Sequence, residues 1–196
     1  MLLERKIFFV KEHVEFLKLA GVYDIFDPET NQKIGVAKEE PGNLIKFLKL
    51  LIDKKLLPTK VTVYDEDTKE IMVSIKKKVG IFRNKVLITG RHGEELGYFM
   101  SKIFSFGGGF KVYDLSNIQV ADVKGDWKGW DFKFLDMSGK VIGNITKKWA
   151  GLGKELFTSA DNYVLSLNED GDVNEKNAAL IIAAGLAIDI IYKEGK

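Results

Sequence analysis

No cysteine occurs in this chain. A disulfide scaffold, a thiolate metal site and a cysteine nucleophile are therefore excluded. Histidine is almost as scarce. His13 and His92 stand far apart in sequence, which argues against a histidine-rich zinc site. A dominant charge is also lacking: the net value is +2, so no global field commits the protein to nucleic acid, and any basic site must be local. The opening stretch MLLERKIFFVKEHVEF is broken by Glu4, Arg5, Lys6, Lys11 and Glu12, and no small-residue cleavage site follows it. No secretory signal is read there, and the expectation is a cytoplasmic protein.

A membrane-spanning run is missing as well. The most apolar segment, Ala178 to Tyr192, has 15 residues and contains Asp189. As a helix it would reach about 22 Å, short of the roughly 30 Å of a bilayer core. A slim helix that is apolar on every side but too short to span belongs inside a protein. Catalytic patterns are absent too. There is no nucleophile elbow, histidine pair or spaced carboxylate pair. GLGKE (residues 151–155) lacks the spacing of a phosphate loop and has Glu155 where Ser or Thr is required, and FGGGF (residues 106–110) reads as a connection between strands.

What is present is a recurring hairpin. The 196 residues, 45% apolar and 30% charged, suit one globular domain with a real core. Within it, residues 22–38, 60–78, 85–102, 110–124 and 130–148 each hold two alternating apolar runs around a turn rich in Asp, Asn, Gly or Pro. Adding KIFFV near the start and NYVLSL at 162–167 gives about twelve strands. Twelve antiparallel strands can close without free edges, and a barrel of that width has more lumen than its own side chains fill. The expected fold is therefore mainly β: a closed antiparallel barrel of about twelve strands around a buried helix from about Asn174 to Tyr192. Three units carry a glycine early in the second strand, at Gly35, Gly97 and Gly143, as expected for a bend or a close approach. A further amphipathic helix is expected over 43–57, capped by Asn43 and ended by Pro58, with Leu44, Phe47, Leu48 and Leu51 packed on the barrel and Lys46, Lys49, Lys54 and Lys55 on its polar side. The other placement for this helix is a membrane interface.

The end of the chain carries a resemblance. IGNITKKWAGLGKELFTSADNYVLSL followed by NAALIIAAGLAIDIIY is similar to the C-terminal part of phospholipid scramblases. The matching residues are Ile142, Gly143, Ile145, Lys147, Trp149, Ala160, Asp161, Asn162, Tyr163, Ile188 and Asp189. The hairpins over nearly the whole chain also resemble plant LURP-one-related proteins and the tubby C-terminal domain. This resemblance implies the same barrel around a hydrophobic helix, with structural roles for Asp189 and Trp149. It implies anionic-lipid binding through basic residues, for which Lys76, Lys77, Lys78, Arg83, Lys85, Lys147 and Lys148 are the candidates. It further implies a calcium segment at Ser159 to Asp170. Asp161 and Asp170 keep acidic positions, with Asp172 nearby, but Ser159, Tyr163 and Leu165 depart from a set of six to eight oxygen ligands, so no cofactor is expected. Without cysteine, the acyl anchor of animal scramblases is also missing.

The expectation from residues and resemblance together is a non-enzymatic binding module. It would meet anionic phospholipid headgroups peripherally, or a protein partner. Lipid translocation is the alternative reading, and a small-ligand carrier or enzyme is a third.

Overall fold

The computed structural model describes residues 1–13, 20–52, 56–78, 85–101, 108–126, 128–147, 162–168 and 174–193. Twelve strands follow one another: β1 (Ile7–Glu12), β2 (Val22–Phe26), β3 (Lys33–Glu39), β4 (Thr59–Asp65), β5 (Ile71–Lys78), β6 (Lys85–Gly90), β7 (Glu95–Ser101), β8 (Gly109–Tyr113), β9 (Gln119–Asp126), β10 (Asp131–Asp136), β11 (Val141–Thr146) and β12 (Asn162–Leu167). Each pairs antiparallel with its neighbour in sequence. β12 closes on β1, with Phe8 opposite Leu165 and Val10 opposite Tyr163. The result is the closed twelve-strand barrel expected from the hairpin pattern.

Helix α1 (Asn43–Leu48) lies in the connection between β3 and β4, and α2 (Glu175–Ile188) follows β12, ending in a π-helical turn at Asp189–Lys193. α2 fills the lumen. Every residue from Ala178 to Ile188 is buried, packed among inward side chains such as Phe8, Ile25, Ile75, Phe99, Phe132 and Ile145. Small residues make the fit possible. A Cβ on Gly185 would lie 2.5 Å from Leu165, and one on Gly143 would lie 2.6 Å from Ile181. Asn174 caps the helix, its side-chain oxygen accepting from Asn177 N at 2.9 Å. Among the described residues, no helix is long and apolar enough to cross a membrane.

Antiparallel up-and-down order divides the barrel ends by chemistry. The tight turns after β2, β4, β6, β8 and β10 all fall at one end, the turn end. In four of them an aspartate folds the chain. Oδ1 of Asp27, Asp65, Asp114 and Asp136 accepts the backbone N–H two residues on, at 2.8, 3.0, 2.9 and 2.8 Å. In the fifth turn Gly90 stands in that place, and the Glu94 carboxylate takes His92 N at 2.9 Å instead. Each of the five hairpins has a register shift beside its turn, as a bulge requires. Leu2 and Leu3 cover this end of the lumen, and Leu2 N donates to Asp65 at 2.8 Å. The longer connections, including the one bearing α1, fall at the opposite end, the loop end.

Helix α1 departs from expectation in length and in orientation. It ends at Leu48, not near Leu57, and its N-cap is Gly42, with no side-chain cap. Its apolar face does not pack on the barrel: Leu44 is 69% exposed and Phe47 59%, followed by Leu50, Leu51, Ile52 and Leu56, all exposed. The reason is Lys49. Instead of lying on the polar side, it turns inward and forms a buried ion pair with Glu39 of β3, whose other oxygen accepts Gly21 N at 3.0 Å. Anchoring the cation inward rotates the leucines outward.

Candidate functional site

The sequence-predicted basic residues are distributed by the strand register. β5 alternates, so Lys76 and Lys78 are exposed whereas Lys77 points into the barrel, 1% exposed beside Val73 and Ile75 on the same face. Lys77 is therefore removed from the surface set, because period-two alternation cannot display three consecutive side chains on one face. The neighbours of the remaining two are also cationic. Lys60 of β4 is the direct partner of Lys76, and Lys85 of β6 is the direct partner of Lys78. Like charges placed opposite each other weaken a sheet. Part of that repulsion is offset. Lys60 Nζ donates to Glu40 at 2.8 Å, and Lys85 Nζ lies 3.7 Å from the centre of the Tyr98 ring. Among the described residues, Lys76 and Lys78 make no ion pair.

Glu40 is the organising acid of this corner. It accepts from Lys60, from Thr62 at 3.1 Å and from Tyr64 at 2.5 Å. The bonds from Lys60 and then Tyr64 hold its carboxyl below the ordinary carboxylate value, against a smaller opposing effect of burial. Glu40 N also donates to Lys60 O at 2.9 Å. The chain thus leaves β3 and re-enters β4 at one point, and the apolar excursion between them stands directly beside the four lysines.

Lys147 lies at the same barrel end but on the far wall, beyond β11, with its ammonium 4.6 Å from the Trp130 ring centre. A further cationic pair, Lys124 opposite Lys133, is also on that far side, where Asp122 lies 3.4 Å from Lys124. The structure therefore gathers Lys76, Lys78 and Lys85 and leaves Lys147 apart. Arg83, Lys148, Trp149, Asp161, Asp170 and Asp172 lie outside the described residues, and with them the calcium-like segment. Among the described residues, no group of three or more His, Asp or Glu is arranged to hold a metal.

Asp189 sits at the loop end of the lumen, 3% exposed, and accepts from Tyr23 Oη at 2.6 Å, linking the end of α2 to β2. Burial first, and then the Asp189 charge, push the Tyr23 phenol well above its ordinary pKa, so it stays a donor. Tyr163 Oη lies in the same buried region without a hydrogen-bond partner, and its ring stacks on Trp130 at 5.1 Å. One turn further along the chain, Tyr192 Oη accepts Gly109 N at 2.7 Å.

Sequence reasoning missed three of these features: the Lys60–Lys76 and Lys78–Lys85 oppositions, the Glu40 hub, and the outward face of α1. The signal for the first was available, since aligning the 60–78 and 85–102 hairpins sets lysine against lysine. The others depend on the long-range Lys49–Glu39 contact.

A closed antiparallel barrel with an apolar helix through its lumen defines a mainly β class of protein. The Scramblase family model matches residues 2–195, and the chain belongs to the Scramblase family. Among characterised proteins it is similar to Phospholipid scramblase 2 of Bos taurus, 40% identical over 65 residues, which is 33% of this chain and 22% of that protein. It is likewise similar to Phospholipid scramblase 1 of Mus musculus, 37% identical over 65 residues, 33% of this chain and 19% of that one. A phospholipid scramblase family protein of Schizosaccharomyces pombe is 32% identical over 69 residues, 33% of this chain and 18% of its own length. The matched region thus spans about a fifth of each of these relatives. No solved structure matches the chain.

Proposed function

We propose that the protein is a non-enzymatic module that binds anionic phospholipid surfaces peripherally through the loop end of its barrel. The observation that carries this reading is the pair of lysine oppositions, Lys60–Lys76 and Lys78–Lys85, on adjoining strands. Such an arrangement opposes sheet stability and gains its compensation from an external anion. Lysines near an anionic bilayer contribute about 1 kcal/mol each. The printed names of the relatives, phospholipid scramblases, agree with a lipid ligand.

Binding is favoured over translocation because α2, the most apolar element, is already enclosed by the protein's own strands. Calcium is not part of this proposal. Cosedimentation with vesicles of phosphatidylcholine alone, or with added phosphatidylserine or phosphoinositide, tests the reading. Binding is expected only with the anionic lipids and should weaken with salt. Lys76→Glu with Lys78→Glu is expected to reduce it by at least about tenfold. Equal binding by wild type and this variant would remove the lysine surface from the account, and calcium-stimulated lipid flipping in proteoliposomes would overturn binding as the activity.

A further inference from the structure

The excursion between β3 and β4 exposes Leu44, Phe47, Leu50, Leu51, Ile52 and Leu56 together. Single exposed apolar residues are ordinary on a soluble surface, but a contiguous group marks a contact site. Two observations say what covers it. The segment is inverted for its own barrel, since Lys49 is anchored inward on Glu39 while the leucines face out. Its surroundings are cationic: Lys46 is exposed on α1 itself, and Lys60 and Lys76 lie at the base where the chain re-enters the sheet. An apolar tip encircled by ammonium groups matches the layered chemistry of an anionic bilayer, with headgroups outside and acyl chains beneath.

We infer that this excursion is a membrane-insertion element: Leu44, Phe47, Leu50 and Leu51 enter the boundary between headgroups and acyl chains of an anionic bilayer, while Lys46, Lys60 and Lys76 stay at headgroup level. The inference rests on the proposed anionic-surface binding and adds penetration to it. An interfacial apolar face reaches about 5–10 Å below the surface, which is within the reach of side chains on one helical turn and the bend after it. The buried Lys49–Glu39 pair holds the element to β3, so insertion needs no unfolding of the barrel.

The absence of native cysteine makes a depth measurement direct. Leu51→Cys, labelled with an environment-sensitive dye, is mixed with phosphatidylcholine vesicles with and without phosphatidylserine, and with vesicles carrying spin labels on the acyl chains. Ser138→Cys in the β10–β11 turn is the reference at the opposite end. A blue shift and acyl-chain quenching at position 51 on anionic vesicles, and neither at 138, are expected. Leu50→Asp with Leu51→Asp is expected to weaken vesicle binding by about tenfold or more while leaving thermal unfolding unchanged. Cosedimentation with a dye at 51 that remains in water would overturn insertion and leave surface binding standing. Insertion that is indifferent to lipid charge would remove the lysine reading instead, and failure of the unaltered protein to bind any vesicle would remove both. Sedimentation velocity without lipid is expected to show a monomer. A dimer abolished by the same double substitution would assign this face to a second copy and overturn the inference.

Discussion

The two ends of the barrel are built by the same strands and follow different rules. At the turn end, polar groups are satisfied within each hairpin. Asp27, Asp65, Asp114 and Asp136 each collect backbone amides of their own turn, and Leu2 and Leu3 seal the lumen. At the loop end, lysines oppose lysines, leucines face water, and the internal helix finishes on the buried Tyr23–Asp189 contact. One end answers the demands of folding. The other contains features that weaken an isolated protein, which is where a function is to be sought.

This contrast can be broken deliberately. The largest effect is expected from Lys49→Met, which strands Glu39 as an unpaired buried charge and should destabilise by about 3 kcal/mol or more. Urea unfolding checks this, and a change below 1 kcal/mol would mean that the pair does not orient the excursion. Asp65→Ala comes next. The carboxylate accepts from Leu2, Asp67 and Thr68, and its loss should cost about 2 kcal/mol at neutral pH.

The effect of Asp65→Ala should depend on pH with a defined sign. Burial tends to raise the Asp65 carboxyl pKa, but the backbone donors Leu2, Thr68 and Asp67 outweigh it and hold it below its ordinary 3.8. A depressed folded-state value means that this contribution is fully present above the ordinary pKa and is lost as pH falls through the folded one. The difference between wild type and Asp65→Ala, followed by denaturant midpoint, should therefore narrow below about pH 4. A difference that widens in acid contradicts the turn-end account.

Lys69 tests the same hairpin in the stabilising direction. It has φ 57 in the β4–β5 turn, where a side chain is strained, so Lys69→Gly should raise stability by about 1 kcal/mol. The smallest effect is expected at the loop end. Phe47→Ser with Leu51→Ser should change the stability of the free protein by less than about 0.5 kcal/mol, because neither side chain packs on the barrel. A loss of 2 kcal/mol, the scale of a core truncation, would show that the face is covered by the protein itself.

The barrel was legible in the sequence because its information is local. Each hairpin repeats an Asp, Asn or Gly turn between alternating runs, and the strands lie within a residue or two of the expected ranges. The internal helix was legible because Ala178 to Ile188 has no polar side to present to water. The surface was only half legible. Three consecutive lysines in a strand cannot share a face, which is why Lys77 is inside, and that much could have been read from alternation alone. The orientation of α1 could not. Apolar residues surround Lys49 on nearly every side of the helical pattern, and the contact that decides which side turns inward is with Glu39, on another element.

Hydrogen exchange on anionic vesicles tests the central claim, that the loop end is the membrane-facing end. With phosphatidylserine vesicles, slower exchange is predicted for amides of the 41–52 excursion and the loop-end residues of β4, β5 and β6, while the turns at 27–32, 65–70 and 136–140 exchange as in lipid-free solution. Protection that appears at those turns, or at neither end, would contradict it.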